Sequence, residues 1–177
     1  MKKRNILVII GSASKDSSNS KLIDEFTKLS RSEFQVTTVD DLSVLPHFDP
    51  SLTERLPGVV SEVLNRIETA DGIVICSPEY IFSIPARLKN LMEWCVATTV
   101  FLNKPVGLIT ASADGRQGHA QLKLIINTLG AVTTEDAELI ISGIKGKFNE
   151  KGECEDPELL ARLNKFEEGL KTLLANK

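Results

Sequence analysis

The chain has 177 residues and a formal net charge of -3 at pH 7, a length that allows one domain with a substantial hydrophobic core. The slightly negative charge argues against a nucleic-acid-binding surface, which would need clustered Lys and Arg. No apolar stretch approaches the length of a membrane span, so we expect no membrane association. The three cysteines, Cys76, Cys95 and Cys154, are dispersed and odd in number, which favours a cytoplasmic protein without disulfides.

Short apolar runs recur along the chain at strand length. Because most of them lack polar alternation, they are typical of strands that are covered on both faces of a parallel sheet. Residues 35–39 alternate more, which predicts a strand nearer the edge. The predicted strands cover residues 6–10, 35–39, 72–76, 106–110 and 139–141.

Segments with apolar residues three or four positions apart separate these runs and predict helices. Their core faces include Leu22 and Phe26, Val60 and Val63, Leu88 and Leu91, Leu122 and Ile126, and Leu163 and Phe166. The alternation of strands and helices predicts an α/β fold with a doubly wound sheet, in a single domain over residues 1–177. Residues 143–156 are predicted to form a mobile polar loop before the last helix.

Ligands of an open parallel α/β sheet bind outside the carboxyl ends of its strands. The loop after the first predicted strand is crowded with hydroxyl and amide side chains: Ser12, Ser14, Ser17, Ser18, Asn19 and Ser20. Beside a helix N-terminus, such groups suit a phosphate. The alternative is simple capping of the helix, although a cap needs only one such residue. The loop lacks both G-x-x-x-x-G-K-[ST] and G-x-G-x-x-G, so a mononucleotide phosphate is the better candidate.

The loops after the third and fourth predicted strands should reach the same edge of the sheet. In the first of these, Tyr80 and Phe82 offer flat apolar surface to a planar ring, or serve as ordinary core aromatics. Ser83 is predicted to cap the following helix, just before Pro85. In the second loop, His119 could face a ligand, but a surface histidine is the favoured interpretation.

Three stretches together resemble the NADPH-dependent FMN reductase family, the flavodoxin-like group that includes quinone, azo and chromate reductases. They are GSASKDSSN at 11–19, LPHFD at 45–49 and PEYIFSIPARLKNLMEW at 78–94. The resemblance implies a flavodoxin-like three-layer α/β sandwich with a five-stranded parallel sheet of order 2-1-3-4-5. FMN would be the bound cofactor, and NADPH or NADH the reductant.

The implied activity is hydride transfer from NAD(P)H to bound FMN and onward to a small acceptor, by a ping-pong mechanism. Candidate acceptors are free flavin, a quinone, an azo compound or a metal oxyanion. The resemblance also implies a homodimer or homotetramer, with Leu91, Trp94 and Cys95 as candidates for its interface, although a tryptophan on such a helix is more often a packing residue. We expect no catalytic acid, metal or nucleic-acid partner. The alternatives are an FMN-binding electron-transfer module without NAD(P)H reductase activity, and a regulatory protein that has lost its flavin.

The resemblance also assigns roles to residues. Ser12, Ser17 and Asn19 would contact the FMN phosphate, with Ser14, Ser18 and Ser20 beside them. From the second motif, Pro78, Glu79 and Tyr80 would line the isoalloxazine ring, with Ile81 and Phe82 in the same loop. From the third loop, Ser112, Gly115 and Gly118 would pass close to the ring, and Arg116 and Lys15 are possible partners of a nicotinamide nucleotide phosphate.

Two positions depart from the family pattern. Ser14 stands where the family usually has an arginine, which brings a full charge and a bidentate fork to the phosphate. Lys15 could compensate as a point charge. Ile81 stands where the family usually has an asparagine, which removes a polar contact at the ring. Both departures predict weaker FMN binding, or a preference for another flavin state or acceptor.

Overall fold

The structure, a computed structural model, describes residues 3–14, 16–149 and 151–176. Within these residues the chain forms five β-strands and five α-helices that alternate along the sequence. The strands are β1 Arg4–Ile10, β2 Phe34–Val39, β3 Gly72–Ser77, β4 Val106–Ser112 and β5 Glu138–Ser142. The helices are α1 Ser18–Ser30, α2 Gly58–Thr69, α3 Ala86–Cys95, α4 Arg116–Thr128 and α5 Pro157–Ala175.

The strands form one parallel sheet in the order β2-β1-β3-β4-β5. This confirms the predicted flavodoxin-like topology, and it places the more alternating strand β2 at an edge. The order changes direction between β1 and β3, where the loops after both strands leave the same side of the sheet. A ligand site is expected at this reversal and beside it.

Both faces of the sheet are covered by helices, which explains the continuous apolar runs. Successive side chains of a strand point to opposite faces. In β1, Leu7 and Ile9 pack into a core with α2, α3 and α4, whereas Ile6 and Val8 pack into a second core with α1 and α5. Each strand therefore needs apolar residues at consecutive positions.

One face of α3, the helix in the second motif, is buried in the core of the protein. Leu91, Trp94 and Cys95 of α3 have exposed fractions of 0%, 0% and 1%. The Trp94 indole donates a hydrogen bond to the Pro46 carbonyl at 2.9 Å and packs edge-on against Phe48. The prediction that these residues mediate self-association is therefore wrong, because the chain's own core and the connector after β2 bury them.

The described residues between 143 and 156 include short elements of secondary structure. It contains a short 3-10 helix, Ile144–Lys147, and an antiparallel bridge between Phe148 and Cys154. Lys147 forms an ion pair with Asp156, whose carboxylate also caps α5 through the Glu158 N–H. In the described part of the chain, no helix is both long enough and apolar enough to span a bilayer.

The close approach of α5 to the turn before β5 generates a stability prediction. A Cβ at Gly169, in the middle of α5, would overlap the Asp136 backbone. We therefore expect Gly169→Ala to lower the free energy of unfolding by about 2 kcal/mol or more, although alanine favours a helix over glycine by about 1 kcal/mol. Urea denaturation followed by circular dichroism measures the change.

Gly58→Ala is the matched control, because Gly58 begins α2 and has no atom within 4 Å of its Cβ position. This variant should be as stable as the parent chain or slightly more stable. Equal stability of the two variants would contradict the close packing at Gly169.

Candidate functional site

A cavity of about 840 Å³ opens at the carboxyl ends of the central strands. Its size suits a cofactor-sized ligand. Residues from four loops line it, namely those that follow β1, β3, β4 and β5. The lining residues are Ser12, Ser14, Asp16, Ser17, Ser18, Asn19, Pro78, Glu79, Tyr80, Ala111, Ser112, Ala113, Gly143, Ile144 and Lys145.

The hydroxyl-rich first loop forms one end of the cavity. Ser17 is the N-cap of α1, and its hydroxyl accepts a hydrogen bond from the Ser20 N–H at 3.1 Å. The Ser12 hydroxyl accepts from the Ser14 N–H at 3.3 Å. The side chains of Ser12, Ser14 and Ser18 line the cavity together with the first turn of α1. The free N–H groups of this turn carry the positive end of the helix dipole. Ser20 lies outside the lining, on the far side of the cap.

Asn19 holds the first loop in place. Its side-chain amide donates to the Ala111 carbonyl at 3.1 Å, and its amide oxygen lies 3.2 Å from the Cys76 thiol. Burial raises the pKa of the Cys76 thiol, so the sulfur stays protonated and can donate to this oxygen. Both ends of the Asn19 amide are thus used within the protein, and they attach the start of α1 to the ends of β3 and β4. The amide nitrogen keeps a second N–H, and the backbone N–H of Asn19 lies in the first turn of α1, so either could reach a phosphate.

The second loop turns sharply between Tyr80 and Ser83. The Tyr80 N–H donates to the Ser83 carbonyl at 2.8 Å, and the Ser83 N–H donates to the Tyr80 carbonyl at 3.1 Å. The two residues between them, Ile81 and Phe82, have φ angles of 50° and 57°. Left-handed backbone at both central positions is typical of a type I′ turn, which strongly prefers Asn and Gly. A β-branched isoleucine in this conformation is an outlier.

The turn directs its side chains in different directions. Tyr80 lines the cavity, whereas Ile81 and Phe82 lie outside the lining, with exposed fractions of 95% and 70%. Isoleucine at position 81 therefore stands in a backbone conformation that it disfavours, with its side chain exposed to solvent. Phe82 is neither a core aromatic nor a cavity wall.

Ser83 does not cap α3, so this prediction is wrong. The helix begins after Pro85 without a side-chain cap, and the Ser83 hydroxyl instead donates to the Gln121 side chain at 2.7 Å. The turn is thus attached to α4 rather than to the helix that follows it in sequence.

Glu79 joins the second loop to the third. Its carboxylate accepts a hydrogen bond from the Gly118 N–H in the first turn of α4 at 2.7 Å, and its carbonyl accepts from the Ser112 hydroxyl at 3.2 Å. A carboxylate at a helix N-terminus is stabilised by the charge-assisted bond and by the helix dipole. A Cβ at Gly118 would lie 3.2 Å from both Glu79 Cβ and Glu79 Cγ, so glycine permits this close approach.

Gly115, Arg116 and Gly118 lie outside the cavity lining, although Ser112 belongs to it. Gly115 is the N-cap of α4 and has a φ of 95°, which favours glycine. Arg116 is largely exposed and lies 3.4 Å from Asp114. Gly115 therefore allows the backbone conformation at the start of α4, and Gly118 allows the close contact between α4 and Glu79. Lys15 lies outside the described residues.

His119 is buried, so the prediction of a surface histidine is wrong. Its exposed fraction is 6%, and its Nδ1 lies 2.9 Å from the Thr110 hydroxyl. Its Nε2 lies 3.3 Å from the Glu138 carboxylate, which also pairs with Lys123 at 2.9 Å. This polar cluster attaches the start of α4 to β4 and β5. The described residues contain no group of His, Cys, Asp and Glu side chains placed to hold a metal ion.

The sequence analysis missed six lining residues, namely Asp16, Ala111, Ala113, Gly143, Ile144 and Lys145. The last three come from the loop after β5, which was treated only as a polar connection. Its attachment to the third loop is direct, since the Gly143 N–H donates to the Ala113 carbonyl at 3.2 Å. The rule that ligands bind at the carboxyl ends of parallel strands applies to β5 as well, and it could have found this loop.

The model of the NADPH-dependent FMN reductase family matches residues 4–146, which include all five strands and most of the cavity. The chain belongs to this family. It is 30% identical over 169 residues to the NADH:(hydroxy)cinnamate reductase subunit CrdA of Vibrio ruber, covering 92% of this chain and 83% of that protein. It is 29% identical over 170 residues to a quinone reductase of Escherichia coli, covering 91% and 90% of the two chains.

Solved structures share the fold. The flavoenzyme FerB, an NAD(P)H:(acceptor) oxidoreductase from Paracoccus denitrificans, superposes with a TM-score of 0.83 at 24% identity, over 96% of this chain and 98% of that one. A flavodoxin from the domain Archaea superposes with a TM-score of 0.63 at 8% identity, over 96% and 98% of the chains. As a member of the FMN reductase family, the chain is an oxidoreductase that uses FMN and NAD(P)H, as the resemblance implied.

The residues of the cavity fit FMN. At one end, serine hydroxyls and the first turn of α1 form an acceptor-binding surface of the kind that holds a phosphate. Elsewhere in the lining, Tyr80 and Pro78 supply apolar surface for a planar ring. The polar and apolar parts thus correspond to the phosphate and the ring of a flavin mononucleotide.

The left-handed backbone at Ile81 generates a second prediction. Asparagine tolerates this conformation much better than isoleucine does, so Ile81→Asn should raise the free energy of unfolding by about 1 kcal/mol. For a chain of this size that corresponds to a rise in Tm of roughly 2–4 °C, which thermal denaturation measures.

Val44→Asn serves as the control, because Val44 is also exposed but its φ angle is not positive. This variant should change stability by no more than about 0.5 kcal/mol. A Tm for Ile81→Asn at or below that of the parent chain would contradict the strained turn.

Proposed function

We propose that the protein is an FMN-dependent NAD(P)H oxidoreductase that passes electrons to a small acceptor by a ping-pong mechanism. Candidate acceptors are free flavin, a quinone, an azo compound or a metal oxyanion. The observation that carries the proposal is the single cavity that joins a phosphate-type end at α1 to an apolar end at Tyr80. When bound, FMN supplies the hydride and electron chemistry.

The protein's part in this chemistry is to bind and orient. Ser12, Ser18 and the first-turn N–H groups of α1 would hold the phosphate, with the Ser17 hydroxyl capping that turn. The backbone of Glu79 and Tyr80 would lie along the ring, held by the bonds from Gly118 and Ser112. Because these bonds hold both the carboxylate and the backbone carbonyl of Glu79, this part of the cavity is preorganised for a ligand.

A single cavity for the cofactor supports a ping-pong order. If the reductant and the acceptor use the same face of the flavin ring in turn, the reductant leaves before the acceptor enters. The relatives named for quinone and (hydroxy)cinnamate reduction support a small, planar, conjugated acceptor. Such an acceptor also suits the flat apolar surface that Tyr80 presents at the rim.

We also propose a cytoplasmic homodimer or homotetramer. Cys76, Cys95 and Cys154 are all free thiols, as expected in a reducing compartment. Because Leu91, Trp94 and Cys95 are buried, self-association would have to use exposed apolar residues. Examples are Val96, just after α3, and Leu124 on α4. Sedimentation of the purified protein gives its oligomeric state.

The proposal is tested by titrating the purified protein with FMN and then adding NADPH or NADH without oxygen. We expect a visible flavin spectrum that shifts on binding and bleaches when the reductant is added. Oxygen-free addition of a quinone should restore the oxidised spectrum. Initial rates at several concentrations of both substrates should give parallel double-reciprocal lines.

Failure to bind FMN would overturn the proposal. Tight binding of FMN without reduction by either nicotinamide nucleotide would instead favour an electron-transfer module. Intersecting double-reciprocal lines would contradict the ping-pong order alone.

The neighbouring aromatic residues Tyr80 and Phe82 offer a matched pair of variants. Tyr80 lines the cavity and Phe82 points away from it, so only Tyr80→Ala should raise the Kd for FMN, by roughly tenfold. Riboflavin should lose affinity in parallel, since the contact is to the ring. Fluorescence titration measures all four affinities. A larger effect for Phe82→Ala would contradict the assignment of Tyr80 as the ring wall.

A further inference from the structure

Among the described residues that line the cavity, Lys145 carries the one cationic side chain. No carboxylate among the described residues pairs with it, in contrast to Lys147 two positions later, which is bound to Asp156. Its ammonium is therefore available to a ligand. A phosphate monoester is mostly dianionic at neutral pH and is the chemical group that such an ammonium recognises.

The fold fixes the backbone that carries Lys145. Gly143 has a φ of 68°, and its N–H donates to the Ala113 carbonyl, which attaches the loop after β5 to the loop after β4. The Ser142 hydroxyl donates to the Asp114 carbonyl at 2.8 Å in the same junction. Next, Ile144 is buried in the core beneath α1 and α5, with an exposed fraction of 4%. The three residues before Lys145 are thus held in place, while the Lys145 side chain itself is exposed.

The loop lies on the side of the cavity where a phosphate would bind. Through Asn19, the start of α1 is attached to the Ala111 carbonyl at the end of β4. β5 is the next strand of the sheet, and Ser112 pairs with Ser142 in the register of these two strands. The loop that follows β5 therefore reaches the cavity beside the first turn of α1, where Ser17 and Ser18 lie.

The charges of the described lining residues favour a role for Lys145 in binding an anion. Asp16 and Glu79 bring two carboxylates to the cavity. Glu79 is satisfied by the Gly118 N–H, but it keeps its negative charge. Apart from Lys145, the described lining residues offer a phosphate neutral hydroxyls, the first turn of α1 and these two acids. The positive charge of Lys145 would offset the repulsion between a phosphate and the carboxylates of Asp16 and Glu79.

We propose that Lys145 forms an ion pair with the 5′-phosphate of bound FMN, so that this phosphate is held between the first turn of α1 and the loop after β5. The inference rests on the proposed function, because it needs FMN in this cavity. It makes the segment over residues 143–147, which the sequence indicated only as a connection, part of the cofactor site.

The experiment compares the affinity for FMN with that for riboflavin, which has the same ring and no phosphate. We expect Lys145→Gln to raise the Kd for FMN roughly tenfold, as for the loss of one hydrogen bond to a charged group, and to leave the Kd for riboflavin unchanged. Lys145→Arg keeps the charge and should restore most of the affinity. The affinity of Lys145→Gln for FMN should also depend less on salt than that of the parent chain.

Lys165→Gln is the control for the loss of one positive charge, because Lys165 on α5 is 79% exposed and its partner Asp136 lies outside the cavity lining. It should leave both affinities unchanged. An unchanged Kd for FMN in Lys145→Gln, or an equal loss for FMN and riboflavin, would overturn the proposal. A higher KM for NADPH with an unchanged Kd for FMN would also overturn it, since the lysine would then bind a phosphate of the reductant.

These outcomes separate the two proposals. If the parent chain binds FMN and is reduced by NAD(P)H while Lys145→Gln does the same with equal affinity, the ion pair is wrong and the proposed function stands. If the parent chain binds no FMN, both proposals fail.

Discussion

The hydrogen bond from the Gly118 N–H to the Glu79 carboxylate organises the candidate site. It places a negative charge at the positive end of α4 and joins the loop after β3 to the helix after β4. The Ser112 hydroxyl adds a second bond to the carbonyl of the same residue. The wall at Pro78, Glu79 and Tyr80 is therefore held by two other segments, and glycine at position 118 leaves the space that this approach needs.

The backbone strain in the neighbouring turn follows from the same attachment. Glu79 is bound at one end of the turn, and Ser83 is bound to Gln121 at the other. The chain has to reverse between these points, which places Ile81 and Phe82 in left-handed conformations that neither residue prefers. Tertiary contacts thus override local preference, and they turn two apolar side chains to the surface while Tyr80 faces the cavity.

The opposite end of the cavity depends on polar groups rather than on apolar surface. The side-chain amide of Asn19 forms hydrogen bonds with Ala111 at the end of β4 and with Cys76 in β3. The Ser12 and Ser18 side chains and the first turn of α1 line the cavity at this end. Three residues of the loop after β5, Gly143, Ile144 and Lys145, also line the cavity. A flavin mononucleotide has the same division, with an anionic phosphate and an apolar ring, so one cavity with both kinds of lining suits it.

The sequence by itself determined the elements and three of the four loops that line the cavity, because apolar periodicity and the positions of parallel strand ends are local or topological properties. The family motifs added the order of the strands and the cofactor. Only the tertiary structure decided which loop side chains enter the cavity, that His119 and Trp94 are buried, and that Lys145 joins the site. These outcomes depend on bonds between distant segments, such as the one that joins Glu79 to Gly118 across 39 residues, and no local pattern encodes such a contact.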